Sequence, residues 1–281
     1  MRQERFGALS IQVPVIGQGT WNIEKTSAPE AVKTLRRGIH LGMTHIDTAE
    51  MYGSGEAEGI VGEALRGLRE RVFLVSKVLP GNATETGTIA ACEKSLARLG
   101  TDRLDCYLLH WRGRHPLEGT VRAFEKLQAE GKILSWGVSN FDVEDLEELN
   151  RLAPRGRVVC NQVLYHLEER AIEHAVIPWC ETHDVAVVAY SPFGSGSFPK
   201  PESKCGRVLR QLAEAHGANP RQIALSFLTR RPAVFAIPKA AQAGHAAENA
   251  SAGDLKLTPE EISSIEAAFP LGRRPRSLPM I

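Results

Sequence analysis

The sequence predicts a (β/α)8 TIM barrel formed by residues 1–281 as a single domain, with extra helices before the last strand and at the C-terminus. Two observations carry this expectation. A short apolar run, a polar turn and an amphipathic helical pattern recur along the chain, which is the rhythm of βα units. The strand-like runs number eight within about 250 residues, the size of one such barrel. Length alone admits one barrel or two smaller domains. No low-complexity stretch or linker interrupts the rhythm, and that selects the barrel.

The elements follow in order. "VPVIGQGT" is the first strand, and "PEAVKTLRRGIHLG" the helix after it. "THID" (44–47) and "VFLVSK" (72–77) are the second and third strands, followed by the helical "GTIAACEKSLARLG". "LDCYLLH" (104–110) leads to "LEGTVRAFEKLQAEGK", and "SWGVS" (135–139) to "VEDLEELNRL". Several of these helices close on a Gly, where a left-handed cap belongs. "VVCNQ" (158–162), "VAVVAY" (185–190) and "VFAIP" (234–238) complete the set. Before the last strand "NPRQIALSFLTRRP" is a second helical pattern; after it, "TPEEISSIEAAF" is a further helix, packed outside the barrel or across its end.

Composition narrows the partners. Lys and Arg number 34 against 33 Asp and Glu, with no basic run, which argues against nucleic acid and anionic membrane and favours a small molecule. "MRQERFGALSIQVPVIG" has no apolar stretch suited to a signal peptide, and no later segment is long enough to span a bilayer. A cytoplasmic monomer is expected. Cys92, Cys106, Cys160, Cys180 and Cys205 are odd in number and lack a CxxC pair, so reduced buried thiols are expected, with neither a disulfide framework nor zinc.

In such a barrel, polar residues at strand C-terminal ends face the active-site mouth. The second strand ends in Asp47 with Tyr52 beyond it, the third in Lys77 and the fourth in His110. Singly these residues are more often a turn cap, loop packing, a solvated charge and a satisfied core histidine. Together, a carboxylate, a phenol, an ammonium and an imidazole form a proton-transfer set. Gly53, Gly55 and Gly59 are expected to let the turn carrying Tyr52 bend before the next helix; "GSGEAEG" lacks the spacing of a dinucleotide fingerprint.

"GMTHIDTAEMYG", "VSK", "LLHW", "GVSNF", "NQVLYH", "AYSPFGSG" and "IPKAAQAGHAAEN" occur in the order typical of aldo-keto reductases, and the chain resembles that family nearly end to end. The resemblance implies that Asp47, Tyr52, Lys77 and His110 are a catalytic tetrad, with Tyr52 the proton donor to a carbonyl oxygen. The chemistry agrees. Hydride delivery to a carbonyl carbon leaves negative charge on oxygen that must be protonated or stabilised. A phenol, with a pKa of about 10, needs a cation that favours phenolate, and Lys77 is that cation. Asp47 holds Lys77 charged, and His110 orients the substrate oxygen.

No side chain donates hydride, so a cofactor must. The resemblance implies NADPH, with NADH weaker, laid across the barrel mouth. Ser139, Asn140 and Gln162 are implied to bind the carboxamide, and Tyr190 to stack on the nicotinamide. Ser191, Gly194 and Gly196 admit the pyrophosphate, Lys239 and His245 meet the 2′-phosphate, and Glu248 and Asn249 contact adenine. Ala240 and His245 stand where many members have serine and arginine, and an imidazole cannot make an arginine's two-pronged contact. A modest NADPH preference resting on Lys239 is therefore expected. Trp21 and Trp111 are expected as apolar walls of a pocket that is otherwise open, because only "RRPRSLPMI" follows the last helix and its "PLG". The substrate is a small aldehyde or ketone. The competing reading is a nicotinamide-cofactor sensor or regulatory subunit of the same fold. "GVSNF" lacks the second glycine of a nucleophile elbow, and "HID" supplies too few ligands for a metal-dependent hydrolase.

Overall fold

The computed structural model describes residues 1–281. Eight parallel strands form the central sheet: β3 (Gln18–Gly19), β4 (His45–Asp47), β5 (Phe73–Val78), β6 (Cys106–Leu109), β7 (Trp136–Ser139), β8 (Val158–Leu164), β9 (Ala186–Tyr190) and β10 (Val234–Ala236). Each pairs with its sequence neighbours. Backbone bonds from Gly17 N to Ala236 O (2.8 Å), from Ala236 N to Val15 O (2.9 Å) and from Gly19 N to Pro238 O (3.2 Å) join the last strand to the first and close the barrel.

The first predicted strand is divided. Val13 and Pro14 belong to β2 (Gln12–Pro14), which pairs antiparallel with β1 (Gln3–Arg5); the rest of "VPVIGQGT" joins the barrel, Ile16 bridging Ala236 and Gln18 and Gly19 pairing with β4 as β3. Pro14 has no N–H for a central ladder, which places it at the end of a hairpin strand. The loop of this hairpin carries Phe6, fully buried, against Phe73 (centroids 4.8 Å), Phe235 (5.1 Å) and His45 (5.8 Å). His45 and Phe73 begin their strands, so the hairpin plugs the bottom of the barrel, opposite the mouth.

Helices α1 (Ala28–His40), α2 (Glu56–Leu65), α3 (Glu85–Leu99), α4 (Leu117–Ala129), α5 (Val143–Leu152) and α6 (Val176–Thr182) follow β3 to β8 in turn. Two helices, α7 (Lys204–Ala215) and α8 (Pro220–Leu228), separate β9 from β10; α9 (Ala243–Ser251) and α10 (Pro259–Ala268) complete the chain. The extra helix expected before the last strand is α8, started by a capping box between Asn219 and Gln222 with Pro220 at its first turn. Of the two placements open to the terminal helix, the outside wall is realised: α10 packs on α7, and its Glu261 lies 2.8 Å from His216 at the end of α7. The glycine expected to close α3, Gly100, has φ 61° at the C-cap. One buried apolar cluster of 72 residues fills the barrel and the layer beneath its helices. No helix is long and apolar enough to cross a membrane.

Candidate active site

Parallel register brings the strand ends to one level. Asp47 closes β4 opposite Val75 of β5, two residues before Lys77. Lys77 pairs with Leu108 of β6, two residues before His110. Lys77 and Asp47 are almost wholly buried, and the ammonium lies 2.6 Å from Asp47 Oδ1. It also donates to the Thr48 carbonyl (2.8 Å) and to Tyr52 Oη (3.2 Å). An ammonium has three hydrogens and no lone pair. All three are thereby used, and Tyr52 Oη must accept from Lys77, which frees the phenolic hydrogen to point into the mouth. Gln162 Nε2 donates to Asp47 Oδ2 at 2.7 Å, on the far side of the carboxylate from Lys77.

Tyr52 reaches this position on the turn Tyr52–Gly55, where Gly53, Ser54 and Gly55 have φ of 54°, 53° and 97°. Gly59 does not share in the bend as expected; it lies within α2, whose backbone is regular. At Gly55 an added Cβ would fall 2.6 Å from the Arg98 side chain. Arg98 is fixed there by a 2.6 Å bond to the buried Glu58.

Burial governs the protonation of the group. On Lys77 it is the largest single effect and disfavours the charged form, but Asp47 and Tyr52 together outweigh it and raise the lysine above its ordinary value. Asp47 is pushed up by burial, with Lys77 and Gln162 pulling the other way. The Tyr52 phenol is also raised by burial, against the pull of Lys77. The net lowering expected from Lys77 is therefore corrected: desolvation exceeds the cation's attraction and keeps the phenol protonated. His110 is depressed to about 2 by burial and by Lys77, so its imidazole is neutral. Its ring lies edge-on to Tyr52 with centroids 5.7 Å apart.

A cavity of about 210 Å³ opens above Tyr52 and His110. Ser139, Asn140, Gln162 and Tyr190 line it, as do Trp21 and Trp111. The polar members are tied to one another: Tyr190 donates to Asn140 Oδ1 (3.0 Å), Asn140 Nδ2 to Ser139 Oγ and the His110 carbonyl (both 3.2 Å), and Ser139 Oγ to the Gln162 carbonyl (2.8 Å). Gln162 Oε1 accepts no protein hydrogen bond. The open pocket expected from the short C-terminus is not found. Met280 and Ile281 line the cavity, because Arg274 approaches Asp142 (3.7 Å) and Leu278 packs on the core, turning the last residues across the mouth. Met51 completes the apolar wall. Neither Met51 nor the tail carried a chemical signal in the sequence. Two larger grooves, beside Arg36 and Glu63 and beside Arg5 and Asp184, lie away from the strand ends.

The remaining predicted residues lie on the loop after β9, just past β10 and on α9. Ser191 (φ 48°), Gly194 (72°) and Gly196 (106°) turn sharply after β9. Lys239 is exposed just past β10, and α9 begins soon after with no side chain capping its N-terminus. His245 and Glu248 are exposed on α9, whereas Asn249 is buried and its amide has no protein partner. An exposed cation beside an uncapped helix start fits the adenosine phosphate of a dinucleotide.

A closed parallel barrel with this mouth is that of a carbonyl-reducing enzyme. The family model for the Aldo/keto reductase family matches residues 15–269, and the chain belongs to that family. It is 45% identical over 273 residues to methylglyoxal reductase YeaE of Escherichia coli (strain K12), covering 96% of each chain. Glyoxal reductase of Bacillus subtilis (strain 168) is 35% identical over 257 residues, covering 92% of this chain and 89% of that one. The crystal structure of an aldo-keto reductase from Klebsiella pneumoniae in complex with NADPH superposes over 100% of both chains, with TM-score 0.94 and 45% identity.

Proposed function

We propose that the protein reduces small aldehydes and ketones, α-oxoaldehydes foremost, to alcohols with NADPH as cofactor and Tyr52 as general acid. The observation that carries the reading is the saturated Lys77 ammonium, which leaves the Tyr52 hydrogen directed away from it. When bound, NADPH would supply the hydride; Gln162 and Asn140 would hold its carboxamide, and Tyr190 would be the platform for its ring. His110, neutral and facing the cavity, donates to the carbonyl oxygen and sets its angle. Tyr52 passes its proton to that oxygen, and Lys77, held by Asp47, stabilises the phenolate left behind.

The apolar wall of Trp21, Met51 and Trp111 beside Tyr52 and His110 supports a small carbonyl substrate. The relatives named for methylglyoxal and glyoxal reduction support the same class. The single buried cluster supports reading residues 1–281 as one catalytic unit.

The test is oxidation of NADPH, followed by absorbance, with methylglyoxal and a panel of aldehydes and ketones. Wild type should turn over, and Tyr52→Phe should keep the NADPH dissociation constant while losing at least about a hundredfold in kcat. NADPH binding by wild type without carbonyl reduction would instead favour a sensor, and normal turnover by Tyr52→Phe would remove its role as acid.

A further inference from the structure

Arg221 stands on the first turn of α8, two residues after the Asn219 cap. Its guanidinium carbon lies 5.0 Å from the ring centroid of Phe198 and 5.6 Å from that of Phe193. The two rings meet edge to face, with centroids 5.8 Å apart, and form a corner that holds the guanidinium. Other arginines in this fold stack on phenylalanine, but those are neutralised. Arg170 and Arg230 both lie over Phe227, and both are bonded to Glu173. Arg221 is exposed, its guanidinium donates no hydrogen bond to the protein and no carboxylate pairs with it.

Its surroundings say what it faces. Phe193 lies within the tight loop of Ser191, Gly194 and Gly196, and Phe198 just beyond it. On the other side the adjacent residue, Gln222, ties α8 to α9 through bonds to the Glu248 carbonyl (2.9 Å) and Ser251 Oγ (2.6 Å). A planar, unpaired cation thus sits where the loop proposed for the pyrophosphate meets the helix proposed for adenine. A guanidinium is well suited there, because it stacks on π-faces and also binds phosphate in a forked geometry.

We infer that Arg221 is a cofactor-binding residue, whose free face stacks on adenine and whose charge holds the 2′-phosphate of NADPH. The inference rests on the NADPH reading of the mouth and deepens it. It supplies, from α8, the guanidinium that His245 does not provide on α9. Lys239 then shares the phosphate rather than reading it alone.

The experiment is calorimetric titration of full-length wild type, Arg221→Ala and Arg221→Lys with NADPH, NADH and adenosine 2′,5′-bisphosphate. In Arg221→Ala, NADPH and the bisphosphate should weaken about tenfold or more, and NADH only about threefold through lost stacking. Arg221→Lys keeps the charge without the plane, so the NADPH-to-NADH ratio should stay near wild type while both ligands loosen. Thermal unfolding without ligand should be unchanged in both variants, since the side chain is exposed. An Arg221→Ala protein with the wild-type NADPH-to-NADH ratio overturns the assignment. Wild type that binds no NADPH overturns the functional reading on which it rests.

Discussion

Two opposing effects meet at Tyr52. Burial raises the phenol, and Lys77 pulls it back without overcoming burial. A donor with a raised pKa stays protonated through neutral pH. Carbonyl reduction should therefore be flat across neutral pH and fall only above the ordinary tyrosine value of about 10, where phenolate accumulates. Alcohol oxidation needs the phenolate and should rise toward the same alkaline limb. Lys77→Met removes the pull, lifting the phenol further and leaving its phenolate unsupported. Reduction should drop at least about a hundredfold, and the oxidation limb should move to higher pH. Profiles of kcat/KM in both directions decide this, and a wild-type reduction rate titrating near neutral pH would contradict it.

Among the elements, the turn after β4 and the C-terminal tail shape the mouth in different ways. The turn is backed by the Arg98–Glu58 pair, which fills the space beside Gly55. The tail is held more lightly. Arg170 Nη1 binds the Phe269 carbonyl at 2.7 Å where the tail begins, and beyond that the holds are Arg274 near Asp142 and the packing of Leu278. Met280 and Ile281 remain 50% and 62% exposed while lining the cavity, so they form a removable wall. Deleting residues 279–281 should leave the unfolding temperature nearly unchanged and enlarge the pocket. The kcat/KM ratio of benzaldehyde to methylglyoxal should rise about tenfold, the scale of a few apolar contacts. An unchanged ratio would show that the tail does not select substrate.

For the whole molecule, the plugged bottom of the barrel has a cost in acid. His45 lies fully buried among Phe6 and Phe73, with neither ring nitrogen hydrogen-bonded. Burial, then Lys77, depresses it to about 3. The folded value lies below the unfolded value of about 6.5, so the unfolded chain binds the extra proton between those limits. Stability is complete above about pH 6.5 and declines as pH falls toward 3, by about 1.4 kcal/mol per pH unit for this residue. His110 adds a decline of the same sign. His45→Leu should lower the slope of unfolding free energy between pH 6 and 4 by about 1.4 kcal/mol per unit, as read from urea titrations. The same slope in both proteins would mean that His45 does not titrate on unfolding.

The sequence by itself determined the barrel and three polar strand ends, because apolar runs and helical periods are local and a βα rhythm of this length has one closed solution. Asp47, Lys77 and His110 were legible for that reason: each sits at or just beyond a strand's C-terminal end, and closure brings such ends together. What the tertiary structure decided depends on contacts that no local period encodes. Gln162 reaches Asp47 across 115 residues of chain. A proline and a glycine-rich path turned the predicted first strand partly into a plug. The tail crossed the mouth because of contacts with Asp142 and the core. The net shift of Tyr52 came from desolvation, which exists only once the barrel has closed around it. Arg221 lies in a helix with no recognisable motif and acquires its meaning from two phenylalanines on another element, since only packing decides whether a cation has a partner.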